Sequence, residues 1–235
     1  MKYSFKIFRF DPSHDRTPHY RDYEVEADPK DRILDCLNKI RWEQDPSLAF
    51  RWSCGHGVCG SDALKINGVC TLACQKLMRD YEGSSFLLEP IPVLPVLKDL
   101  VVSMEPFFRV YRSLKPYLIN PQEPPTVERI QMPEERKLIE DVIKCISCAC
   151  CTSSCPVKTT ENMNFVGPAA LVKAHRYICD SRDTSTIDRL KSLDTKVGVW
   201  GCKTYFKCTE VCPRSIKVTK AINQIKRKIR NKSDD

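Results

Sequence analysis

Cys145-Ile146-Ser147-Cys148-Ala149-Cys150-Cys151-Thr152-Ser153-Ser154-Cys155-Pro156 decides how this chain is read. Within it lies the frame C-x2-C-x2-C-x3-C-P, which offers three thiolates to one four-iron cube and a fourth to a second cluster of a pair. A pair needs a second copy of the frame. It is found in Cys202-Lys203-Thr204-Tyr205-Phe206-Lys207-Cys208-Thr209-Glu210-Val211-Cys212-Pro213, where only the second cysteine position differs and holds Tyr205. Exchange of the fourth cysteines then divides the thiolates unequally. Cys145, Cys148, Cys151 and Cys212 make a full set for [4Fe–4S]. Cys155, Cys202 and Cys208 make one ligand fewer. A cube with an unligated iron corner is expected to lose that iron, so the second site is read as [3Fe–4S]. Pro156 and Pro213 redirect the chain after each frame and have no N–H to donate.

Upstream, Cys54-Gly55-His56-Gly57-Val58-Cys59 is followed by Gly60-Ser61-Asp62 and later by Cys74. The gaps match the C-x4-C-x2-C…C pattern of a [2Fe–2S] site, with Asp62 in the third cysteine's place. A carboxylate oxygen can ligate ferric iron, so the expected ligands are Cys54, Cys59, Asp62 and Cys74. Cys70 is the alternative to Asp62. His56 could ligate in the manner of a Rieske centre, but that arrangement needs two histidines. Zinc is a further alternative, although a four-residue gap suits it poorly. Glycines let a loop approach a cluster with bare backbone and aim N–H groups at sulfur. Cys36, Cys150 and Cys179 lie outside the frames and read as small buried hydrophobes.

The remainder of the chain fits this picture. Fourteen cysteines in 235 residues, without the apolar stretch of an export signal, point to metal rather than disulfides and to a cytoplasmic protein. Apolar residues make up 42% and charged residues 29%, as in ordinary globular proteins. No run reaches the roughly 18 apolar residues of a membrane span. Net charge is +8, and residues 213–235 supply most of it. No nucleic-acid motif accompanies the charge. Alternation at Tyr3, Phe5 and Ile7, and again at Tyr23 and Val25, predicts a β-hairpin. Asp28-Pro29 predicts a helix start ahead of Ile33, Leu34, Leu37 and Ile40. Nine of the 16 prolines fall between residues 90 and 133. That stretch reads as a connector with a short helix over 96–111. Further helices are expected over 134–143, 168–177 and 218–229. The domains are placed at 1–105, holding [2Fe–2S], and 106–235, holding [4Fe–4S] and [3Fe–4S]. No G-x-G-x-x-G loop, P-loop or H-E-x-x-H is present, so the flavin or nicotinamide that would feed such a wire is expected on a partner.

In cysteine frames, order and spacing, nearly the whole chain resembles the iron–sulfur subunits of succinate dehydrogenase and fumarate reductase. Matching stretches include 51–54, 59–62, Lys98-Asp99-Leu100-Val101-Val102, Lys115-Pro116-Tyr117-Leu118, Gly167-Pro168-Ala169-Ala170-Leu171 and Asp180-Ser181-Arg182-Asp183. The resemblance implies an α+β fold: an N-terminal β-grasp, plant-ferredoxin-like domain and a C-terminal all-α, bacterial-ferredoxin-like domain. It also implies an FAD-containing flavoprotein subunit that interconverts succinate and fumarate, a membrane anchor, and electron relay to quinone. The place implied is peripheral, on the cytoplasmic side of the inner membrane, with the basic C-terminal helix facing the anchor or anionic lipid. A quinone pocket is implied near Pro156, Thr160 and Lys203. Ubiquinone-using members carry tryptophans where Lys158-Thr159-Thr160 stand and a histidine where Lys203 stands. This departure favours menaquinone or an unusual anchor, with Lys203 as a cationic donor to a quinone oxygen. A subunit serving another flavoprotein, such as a thiol-linked fumarate reductase or a heterodisulfide reductase relative, is the alternative.

Overall fold

Tyr3, Phe5 and Ile7 alternate with polar residues and face the core from strand β1 (Lys2–Arg9), while Tyr23 and Val25 do so from β2 (His19–Glu26). The two strands pair antiparallel from Lys2 opposite Glu26 to Arg9 opposite His19, closing the expected hairpin. The computed structural model describes residues 1–231; Lys232, Asp234 and Asp235 of the basic segment lie outside the described residues. The chain is α+β, as expected, with a sheet-containing N-terminal unit and a helical C-terminal one. The sheet unit comprises Met1–Met104 and Ile146–Ser154, and the helical unit residues 105–145 and 155–231.

In the sheet unit the strand order is β2-β1-β5-β3-β4, with β3 at Ala63–Ile66, β4 at Val69–Leu72 and β5 at Ser85–Pro90. Only β1 and β5 run parallel, Phe5 lying opposite Phe86 with their rings stacked at 5.0 Å. A mixed sheet grasping one helix is the β-grasp arrangement. That helix, α1 (Ile33–Lys39), buries Ile33, Leu34 and Leu37. It begins later than the sequence suggests. Asp28-Pro29 forms a turn instead, with Lys30 N–H donating to the Asp28 carboxylate at 2.8 Å. Arg32 is held extended by its bridge to Leu77, so helical geometry starts one residue on.

The helix expected over 96–111 is also corrected. Val96–Lys98 (β6) and Val101–Val102 (β7) pair antiparallel, and α2 occupies only Glu105–Ser113. The reversal turns on Asp99, at φ +45°. Its carboxylate is 1% exposed and accepts from Arg9 Nε at 3.0 Å, Phe10 N–H at 3.0 Å and Ala49 N–H at 2.8 Å. Buried carboxylates require such partners, and these are available only if the chain reverses at this point.

In the helical unit the 134–143 expectation is partly met: α3 spans Pro133–Lys137 and a 3-10 turn follows at Val142–Lys144. A four-residue helix, α4 (Cys150–Ser153), belongs to the segment that folds with the sheet unit. Helix α5 (Pro168–Ile178) is preceded by Gly167 at φ +89°. Helix α6 (Thr186–Leu193) and the short α7 (Lys207–Glu210) lie outside the helices expected from the sequence. Helix α8 (Val218–Arg230) buries Val218, Ile222, Ile225 and Ile229 in the stripe their spacing predicts, packing on α5. Its basic face is not uniformly solvated. Lys226 donates to the Cys202 carbonyl at 2.7 Å, and Arg230 lies 5.2 Å from the Trp200 ring centroid.

Candidate metal centres

Between α1 and β3 the loop carrying Cys54 and Cys59 turns at Gly55, Gly57 and Gly60, all with φ near +70°. At Gly60 a side chain also has no room, and at Gly57 it would have to displace the flexible Gln75 side chain. A Cβ on Gly57 would meet Gln75 at 2.1 Å, and one on Gly60 would meet Cys148 Cβ at 2.9 Å. The curl aims backbone N–H groups at Cys54 Sγ, from His56 at 3.4 Å, Val58 at 3.4 Å and Cys59 at 3.3 Å. These donors favour the thiolate and bring the Cys54 pKa down to about 6. Cys59 Sγ lies 3.1 Å from Ser61 Oγ.

Asp62 and Cys74 meet beside this loop. Asp62 is 3% exposed, and its Oδ2 accepts the Cys74 N–H at 2.6 Å. Its Oδ1 is buried without a hydrogen-bond partner. A buried carboxylate oxygen left unsatisfied is costly, and iron is a partner that would relieve it. Burial, reinforced by Asp62, pushes the Cys74 thiol up to about 12; binding to iron deprotonates such a thiol outright. Cys70 lies in another setting, buried, with its thiol hydrogen-bonded to Ser154. His56 is exposed on the loop. The residues present therefore fit a [2Fe–2S] cluster held by Cys54, Cys59, Asp62 and Cys74.

The two later frames share one backbone path. Each opens with a 3-10 turn, at Val142–Lys144 and Val199–Gly201, immediately before its first cysteine. Ser147 and Ala149 then take φ of 58° and 66°, and Thr204 and Phe206 take 62° and 63°. Short helices α4 and α7 follow at the same offset. Non-glycine residues in the left-handed region are uncommon and costly, so this paired pattern marks a functional backbone. Alternation of this kind makes N–H concavities that suit anions such as sulfide and thiolate.

Within the helical unit, Cys155, Cys202 and Cys208 line one small cavity that opens to solvent. Tyr205 is on its wall together with Pro156, Lys203 and Phe165. Burial raises the thiols of Cys155 and Cys208; N–H groups of Lys158 and Val157 partly offset this at Cys155, and Thr219 at Cys208. Three thiols around a single opening fit a cluster better than they fit solvent. Cys145 and Cys212 lie in the helical unit, whereas Cys148 and Cys151 lie on the segment that folds with the sheet unit. Among the described residues no three His, Cys, Asp or Glu side chains are grouped as for a single metal ion.

Thr160 is not on the cavity wall; its hydroxyl donates to the Pro156 carbonyl at 2.9 Å. Lys203 is ion-paired with Glu161, a residue that sequence reading did not single out. Cys36 is buried against Met78, its pKa raised to about 12 by burial, and Cys150 is fully buried. Cys179 lies 3.5 Å from His175 Nε2, and burial raises its pKa.

Two domain families match. A 2Fe-2S iron-sulfur cluster binding domain covers residues 4–109 and a 4Fe-4S dicluster domain covers 141–216. The fold and these matches define a two-domain iron–sulfur protein. Among individual relatives, the succinate dehydrogenase iron-sulfur subunit of Coxiella burnetii is 40% identical over 225 residues, 95% of each chain. The mitochondrial succinate dehydrogenase [ubiquinone] iron-sulfur subunit 1 of Oryza sativa subsp. japonica is 40% identical over 228 residues, covering 95% of this chain and 81% of that one. A chain of the Mycobacterium smegmatis Sdh1 complex in the apo form superposes with TM-score 0.90 at 28% identity, covering 100% and 98%. This chain belongs to the family of succinate dehydrogenase iron–sulfur subunits. No helix among the described residues is long and apolar enough to cross a membrane.

Proposed function

We propose that this subunit relays electrons in series through [2Fe–2S], [4Fe–4S] and [3Fe–4S] clusters, from the FAD of a flavoprotein subunit to a quinone at a membrane anchor. The observation that carries the reading is the cavity lined by Cys155, Cys202 and Cys208, with Tyr205 on its wall in place of a fourth thiol. When bound, the clusters supply one-electron carriage; the protein supplies ligands, insulation and local charge. Cys54, Cys59, Asp62 and Cys74 hold the two-iron cluster, and the N–H groups of His56, Val58 and Cys59 offset negative charge at Cys54. Cys145, Cys148, Cys151 and Cys212 hold the four-iron cluster. Cys155, Cys202 and Cys208 hold the three-iron one.

The quinone approaches near Pro156, Thr160 and Lys203, and lysine and threonine in place of aromatic residues favour menaquinone. The Lys203 ammonium would have to share its hydrogen bonds between Glu161 and a quinone oxygen. The subunit binds peripherally on the cytoplasmic side of the inner membrane. Electron paramagnetic resonance of the Tyr205→Cys protein tests the cluster count. A fourth thiolate converts most of the oxidised three-iron signal to [4Fe–4S]; an undiminished three-iron signal in a folded product contradicts the proposal.

A further inference from the structure

Glu161 ends the π-helical turn Val157–Glu161 that follows Cys155, and its two carboxylate oxygens are divided between residues of the other frame. Oε2 pairs with the Lys203 ammonium, and Oε1 accepts from the Tyr205 hydroxyl at 2.7 Å. Lys203 adjoins the ligand Cys202, Tyr205 stands where a fourth thiol would, and both line the three-thiol cavity. The neighbouring cations have their own partners. Lys158 donates to the carbonyls of Met163 and Phe165, Lys207 pairs with Glu210, and Lys226 donates to the Cys202 carbonyl. Lys203 and Glu161 are thus an opposed charge pair joined across the cavity wall.

We propose that Glu161 is a positioning residue: it neutralises Lys203, holds Tyr205 in place, and so sets the reduction potential of the cluster bound by Cys155, Cys202 and Cys208. The inference rests on the three-iron reading of that site. One-electron reduction adds a negative charge to the cluster. An uncompensated ammonium nearby favours that charge, and an uncompensated carboxylate opposes it.

The test is a redox titration of the purified iron-loaded protein, following the three-iron resonance as it disappears on reduction. Glu161→Gln can still accept from Tyr205 and loses only its charge. The potential should rise by about 59 mV, a tenfold shift of the one-electron equilibrium. Lys203→Gln should lower it by a similar amount. The double variant should return close to the unmodified value, because the paired charges leave together. Tyr205→Phe keeps both charges and should move the potential least. Single variants that leave the potential unmoved, or move it in the same direction, overturn the proposal while the three-iron assignment stands. Absence of the three-iron resonance from unmodified protein overturns the assignment and the proposal with it.

Discussion

Asp62 shows how one residue can satisfy structural and chemical demands together. Its Oδ2 fixes the Cys74 backbone, and its Oδ1 is left buried and unpaired until something binds it. Asp62→Asn keeps shape and an acceptor but not the anionic oxygen, so the reduced two-iron resonance should fall about tenfold or more; Asp62→Cys should retain it. Asp45 offers a second residue-scale test. Burial alone would push its carboxyl up, but hydrogen bonds from Ser47, Tyr23 and Arg9 prevail and hold it well below the ordinary carboxylate range. Because the folded value is the lower one, the stabilisation is fully present above the unfolded pKa of about 3.9 and is lost as pH falls below it. Urea midpoints measured downward from pH 7 should therefore drop more steeply below pH 4 in the wild type than in Asp45→Asn. Asp62 was legible from its place in the cysteine frame. Asp45 was not, because its partners Arg9 and Tyr23 come from strands distant in sequence.

Among the elements, the stretch 114–119 and helix α6 are joined by one buried ion pair. Arg189 meets Asp183 at 2.8 Å and donates to the carbonyls of Leu114 at 3.0 Å, Lys115 at 2.8 Å and Tyr117 at 2.8 Å. Asp183 also accepts the Ile119 N–H at 3.0 Å. The motifs Lys115–Leu118 and Asp180–Asp183 thus serve to pin the proline-rich connector. Removing one partner strands a buried charge, so Arg189→Met should cost about 3–5 kcal/mol in urea unfolding. A loss within experimental error would contradict this account of the connector. Helices α5 and α8 were readable because eleven and thirteen residues carry an apolar period. Strands β3 and β4, four residues each, were not, and the 96–111 helix failed because the buried Asp99 carboxylate is held by the backbone N–H groups of Phe10 and Ala49, partners remote in sequence.

At the scale of the whole molecule, two sequence frames became two copies of one backbone path, down to left-handed residues at matching offsets. Spacing could reveal the frames because cluster ligands must recur at fixed intervals along a tight loop. It could not reveal Glu161, which stands six residues beyond Cys155 and meets Lys203 and Tyr205 only after the frames fold together. The parallel pairing of β1 with β5 was likewise hidden, since about eighty residues separate them and no local pattern encodes the match. A serial relay of this kind requires three inorganic clusters in this one chain. Iron and acid-labile sulfide, counted per chain on intact purified protein, decide whether it holds them. About nine iron and ten sulfide per chain are expected, from clusters of two, four and three irons. Four or fewer irons per chain, or zinc in their place, would contradict it.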